Sequence, residues 1–153
     1  MPNAAVPQAM QLLAKELHSL VNSSSSLTDE EYIRQATGLM YRFIVIHPFP
    51  DSNGRTSRAL LNTVLLDRDL FVSFTKEDKK EYIVALNQTN STIGNEYLSL
   101  LNTNSAEALQ AELQAIEPLY GFVNSHLMTT PSLDHTKEQT SQGLVSEAGR
   151  DLP

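Results

Sequence analysis

The apolar pattern of residues 28–46, TDEEYIRQATGLMYRFIVI, limits the possible folds of this chain more than any other stretch. Thr28 and Glu31 stand in capping-box relation, the hydroxyl and the carboxylate each answering an end N–H. Ile33, Leu39, Met40, Phe43, Ile44 and Ile46 then recur at helical spacing. From Phe43 to Ile46 the helix is apolar on every side, so it must be surrounded by other elements. It runs into His47 and stops at Pro48, whose ring breaks a helix.

The rest of the chain supplies the surrounding helices. A first helix begins at Pro7, a favoured first helical position. Met10, Leu13, Leu17, Leu20 and Val21 form its apolar face. Ser23 to Ser26 are a polar connector. A third helix opens near Asn53–Arg55 and carries Ala59, Leu60, Leu61, Val64, Leu65 and Leu66. DLFVSF, residues 69–74, is expected to be a short apolar connection, and Thr75 to cap a fourth helix through about Leu86. Gly94 and Asn95 break before a short helix, EYLSLLN. A last amphipathic helix is expected from about Ser105 to Leu127. Its stripe of Leu109, Leu113, Ile116, Leu119 and Tyr120 is expected to pack within the chain, with a homodimer contact as the lesser alternative. Residues 129–153 are polar and aperiodic, and are expected to be a disordered tail. The expected fold is all-α, one helical bundle over residues 5–128, with no internal repeat.

Composition narrows the function classes. At 153 residues the chain is long enough for one domain with a real core. It has no Cys, which removes disulfides and thiolate metal sites. Its net charge of −7 argues against a general nucleic-acid binder, so any phosphate site must be a local basic island. No apolar run approaches the ~18 residues of a membrane helix, and no signal peptide is visible. A cytoplasmic location is expected, with secretion as an effector left open.

The chemistry concentrates in HPFPDSNGRTSR, residues 47–58. An imidazole such as His47 can take a proton from a hydroxyl. Asp51 offers the lone carboxylate that suits Mg²⁺ when phosphates supply the other ligands. Ser52, Asn53 and Gly54 form a turn before a helix, where free N–H groups favour an anion. Arg55 and Arg58 share a helix face in its first turns. Cations there oppose the helix dipole, which makes sense if a polyphosphate lies over the helix start. Taken singly, each residue also has an ordinary structural reading: a capping Asn, a packed histidine, solvated arginines. Together they make the inventory for phosphoryl or nucleotidyl transfer.

This stretch resembles the signature of Fic-domain proteins, H-P-F-x-D/E-G-N-G-R-x-x-R. It matches every specified position but one: Ser52 stands where relatives usually have Gly, sometimes Ala. The lead-in FIVIHPF and the follow-on RALLNTVLL also look like the family, and the similarity runs from about Val6 to Leu101. The resemblance implies an all-helical protein that moves AMP from ATP to a Ser, Thr or Tyr hydroxyl of a target protein, with the loop between two central helices. It implies His47 as general base, Asp51 as the Mg²⁺ ligand, and Asn53 with the backbone at Ser52 and Gly54 around the α-phosphate. Arg55 would meet the β- and γ-phosphates, Arg58 would support the clamp, and Phe49 would be a buried anchor. In KKEYIVALNQTN, Tyr82 and Ile83 fall where relatives show an aromatic pair, and Asn90 where a polar residue contacts adenine.

Departures from the pattern carry expectations of their own. If the backbone at Ser52 needs positive φ, Ser is worse than Gly by about 1 kcal/mol, and activity should be reduced or altered. Gly54 favours nucleotidyl transfer, because phosphorylating relatives carry Lys there. Transfer of UMP or phosphocholine remains an alternative, as does a Fic-like module that binds nucleotide or partner with weak catalysis. A third reading is a helical interaction domain with a structural loop. The family's upstream flap hairpin is expected to be missing, since six residues precede Pro7. Neither Ser26 with Glu30 nor Thr92 with Glu96 completes the inhibitory motif S/T-x-x-x-E-G/N, so inhibition would come from a separate antitoxin-type partner or another segment. His18, His126 and His135 are expected to be surface or partly packed, and Lys76, Lys79 and Lys80 a solvated face.

Overall fold

The computed structural model describes residues 4–94, 97, 101 and 105–131. Helix α1 spans Val6–Asn22 with Pro7 in its first turn. Helix α2 spans Asp29–Ile46, and its Thr28–Glu31 capping box is formed in both directions. Helix α3 spans Asn53–Leu65, α4 Lys79–Ile93, α5 Ser105–Ala115 and α6 Glu117–Ser125. Two three-residue strands, β1 (Leu70–Val72) and β2 (Leu127–Thr129), pair antiparallel. The architecture is all-α.

Helix α2 sits in the middle, packed against α1, α3, α5 and α6. Tyr32, Met40 and Ile46 of α2 are fully enclosed, together with Leu61 and Leu65 of α3 and Leu119 and Val123 of α6. Each such aliphatic side chain contributes about 1.5–3 kcal/mol by leaving water. The packing of α2 on α3 fixes the loop between them.

A charged cluster is buried among the apolar side chains. Arg42 of α2 is 1% exposed. Its Nε and Nη2 donate to the Glu112 carboxylate of α5 at 2.7 and 2.9 Å, and its Nη1 donates to Glu16 of α1. The Tyr97 hydroxyl donates to Glu112 as well. Three helices are thus tied through one guanidinium. Burial opposes its charge, but the Glu112 and Glu16 carboxylates outweigh that and hold Arg42 protonated.

Several boundaries differ from the sequence expectations. Helix α4 starts at Lys79, not Thr75, and runs on to Ile93. The Asp78 carboxylate takes both the N–H and the hydroxyl of Thr75, at 2.9 and 2.7 Å, closing a turn ahead of the helix. The expected last helix is two helices, parted at Ile116, because Pro118 has no N–H to continue the ladder. That break leaves Ile116, Leu119 and Tyr120 buried while Leu109 and Leu113 are exposed, so only part of the stripe faces the core. DLFVSF contains β1, with Leu70 opposite Thr129. Asn62 covers the other edge of β1, accepting from Val72 N–H and donating to Val72 C=O. Thr129 therefore lies in β2 rather than in a tail. Of EYLSLLN, Tyr97 and Leu101 are helical and buried. Its remaining residues, His135 and the tail from 132 onward lie outside the described residues. No described helix is long and apolar enough to cross a membrane.

Candidate active site

The loop begins where α2 ends. His47 closes that helix in the left-handed region at φ 53, its N–H donating to Phe43 C=O at 3.1 Å. Its imidazole is exposed, at one end of a shallow cleft of about 330 Å³ that runs past Asp51 and Gly54 to Arg58.

Asn53 holds the loop shut. Its Oδ1 accepts from Phe49 N–H at 3.0 Å, and its Nδ2 donates to Phe49 C=O at 2.6 Å. The side chain is buried and committed to the main chain. What Asn53 offers a ligand is its backbone N–H at the start of α3, where the first amides have no helical acceptor. Phe49 is not the buried anchor expected of it, being 47% exposed, its ring 6.1 Å from that of Phe43. The loop is anchored through the main chain of Phe49 rather than its ring.

Ser52 stands at φ 68, ψ 8. This left-handed conformation costs a residue with a side chain roughly 1–2 kcal/mol. Ser52 N–H donates to Asp51 Oδ1 at 2.5 Å, and Ser52 Oγ accepts from Arg55 Nη2 at 2.5 Å. Asp51 Oδ2 lies 3.9 Å from Arg55. Both side chains of that pair are largely exposed, so the pair contributes little by itself and both charges stay within reach of a ligand. Among the described residues no cluster of three or more His, Asp or Glu could hold a metal. Asp51 beside the helix start nonetheless fits a hard cation that takes its other ligands from phosphate and water.

Arg58 folds back over the helix start. A Cβ added to Gly54 would meet its Nη1 at 3.5 Å. Its guanidinium carbon lies 5.5 Å from the ring centre of Phe74 and 5.8 Å from that of Tyr82. Arg58 is therefore a wall of two clefts, the one along the loop and a second of about 370 Å³. Phe74, Thr75, Asp78, Tyr82 and Ile83 bound the second.

Tyr82 is buried among aromatic rings, edge-on to Phe74 at 5.8 Å and tilted against Phe122 at 5.5 Å. Its hydroxyl lies near Arg58 and Ser57 without a well-formed hydrogen bond, and burial raises its pKa. Ile83 is exposed on the cleft. Asn90 is two turns along α4 and lines neither cleft; its Oδ1 accepts from Tyr41 OH of α2 at 2.8 Å. The structure thus brings together His47, Asp51, Ser52, Asn53, Gly54, Arg55, Arg58 and Tyr82, and leaves Asn90 exposed on α4 outside both clefts.

The chain is similar to known proteins. The family model described as Fic/DOC family matches residues 1–65. A Fic domain containing signaling protein from Bacteroides thetaiotaomicron has a similar structure, with a TM-score of 0.63 and 29% identity over 81% of this chain and 42% of its own. The chain carries a Fic/DOC family domain. The protein adenylyltransferase fic-1 of Caenorhabditis elegans is 34% identical over 55% of this chain, and the protein adenylyltransferase and cysteine protease IbpA of Histophilus somni is 30% identical over 96% of it. The chain spans 16% of the first relative and 4% of the second.

In this Fic domain the second cleft holds what sequence reasoning missed. Phe74 and Asp78 were assigned to a connection and a helix start. His126 is partly packed, as expected of it, but its ring stacks on Phe122 at 4.3 Å and its Nε2 lies 3.4 Å from Asp78 Oδ1. These residues come from segments too far apart for local pattern to connect. Asp78 alone gave a local signal, three residues after Thr75 at a helix start.

Proposed function

We propose that this Fic domain transfers AMP from ATP to a Ser, Thr or Tyr hydroxyl of a target protein. The observation that carries the reading is Arg58, which joins a loop suited to phosphates to an aromatic-sided cleft suited to a base. The relatives named as protein adenylyltransferases support it. The α-phosphate lies over the first N–H groups of α3, whose partial positive charge attracts it. Arg55 and Arg58 neutralise the outer phosphates. Phe74, Tyr82 and Ile83 flank the base. His47 takes the proton of the target hydroxyl as its oxygen bonds to the α-phosphorus, and pyrophosphate leaves with the electrons of the broken P–O bond. Asp51 would hold Mg²⁺, which neutralises charge on the phosphates when bound. The compartment in which this occurs would be the cytoplasm. An antitoxin-type inhibitor is a partner the reading allows.

The position of the label in ATP tests the reaction type. With Mg²⁺ and an extract as source of targets, and measured over the same extract without this chain, label at the α-phosphate should pass to protein and label at the γ-phosphate should not. Transfer of γ-label alone would make the domain a kinase and overturn the reading.

A further inference from the structure

The second cleft has a fixed carboxylate on its wall. Asp78 lies four residues before Tyr82, and both line the cleft that Arg58 shares with the loop. Asp78 belongs to the second cleft and not to the one along the loop. Its Oδ2 takes both donors of Thr75, and its Oδ1 faces His126 Nε2 at 3.4 Å. His126 is itself held, its Nδ1 2.9 Å from Phe122 C=O. The Thr75 donors keep the Asp78 carboxyl below the usual carboxylate range. At neutral pH it accepts hydrogen bonds and cannot donate one. Because the Thr75 hydroxyl gives its proton to Asp78, its oxygen too can only accept from a ligand.

We propose that Asp78 reads the nucleobase, accepting an N–H from an exocyclic amine and rejecting a base that presents a carbonyl there. This rests on the loop being a nucleotide site. Adenine offers the amine; hypoxanthine replaces it with a carbonyl oxygen, and uracil has a carbonyl at the equivalent edge. Two acceptors facing one another leave both without a proton. A site built to hydrogen-bond one group rejects the analogue lacking it far more strongly than an apolar pocket rejects a change of shape. Lys76 and Lys79 also line the cleft, but both are exposed on flexible stems and attract every nucleotide alike. Asp78 is the directional group, and it decides against UMP as the transferred moiety.

Calorimetric titration of the chain with ATP, ITP and UTP in the presence of Mg²⁺ tests this, beside an Asp78→Asn variant. The amide oxygen of Asn can keep the Thr75 bonds, and a thermal melt establishes that the variant is folded. Wild-type chain should bind ATP at least about tenfold more tightly than ITP or UTP. In Asp78→Asn the three affinities should converge to within about threefold, since the amide can donate to a carbonyl. Equal wild-type affinities for the three would overturn the inference and leave the nucleotide site standing. Full discrimination in a folded Asp78→Asn variant would also overturn it. Failure of every nucleotide to bind would overturn both.

Discussion

At the scale of single residues the loop trades stability for a shape. Ser52 sits in a backbone region that glycine enters freely and serine does not. Ser52→Gly should stabilise the domain by up to about 1 kcal/mol, the strain relieved minus the added freedom of the unfolded chain. Urea unfolding measures this, and a lower midpoint would contradict it. The same change frees Arg55 from Ser52 Oγ. The identities of these residues were legible because the motif is contiguous: His47, Asp51, Gly54 and the two arginines need only local spacing to be read as a group. The roles of Phe49 and Asn53 were not. Whether an aromatic in a loop is buried, and whether an amide faces ligand or main chain, depends on the path of the loop, which the packing of α2 on α3 sets.

At the scale of elements, local chemistry was readable and distant pairing was not. The start of α2 was written in Thr28 and Glu31, three residues apart. The two bonds from Thr28, backbone first, hold the Glu31 carboxyl below its ordinary value of 4.5. A carboxyl lowered in the folded state stabilises above its unfolded value, and that contribution disappears as pH falls through the folded one. Glu31→Gln keeps an acceptor for the cap but cannot titrate. Wild type should therefore lose more stability than Glu31→Gln when urea midpoints are followed from pH 6 to pH 3, both pH values being roughly placed around the carboxylate range. Parallel curves would contradict the cap assignment. The pairing of β1 with β2 had no such signal, since each strand is three residues long and they lie far apart in the chain. The break at Ile116 did have one in Pro118, which the apolar stripe outweighed in the sequence reading.

At the scale of the whole molecule, the Arg42 cluster ties α1, α2 and α5 together, and none of its members lines either cleft. Glu112 and Arg42 are almost fully enclosed. Glu112→Ala would leave a buried guanidinium short of its main partner and should destabilise the domain by about 3–5 kcal/mol in denaturant unfolding. The paired change Arg42→Met with Glu112→Leu should recover most of that loss, because an apolar pair of similar volume is often as good. A double variant no better than Glu112→Ala would show that the charges do more than satisfy one another. Nothing in the sequence singled out this cluster, whose members come from α1, α2 and α5 and from Tyr97. What the sequence did carry at this scale was the centrality of α2, through its run of apolar residues, and so the placing of the loop at the end of a buried helix.

That placing leads to the central claim, that His47 is the base of a nucleotidyl transfer at the mouth of the loop. The direct measurement compares wild type with His47→Ala, each given Mg²⁺ and ATP labelled on the α-phosphate, with ATP affinity measured alongside. The account predicts that His47→Ala binds ATP about as tightly as wild type and puts no label on protein. Undiminished label with His47→Ala would contradict it.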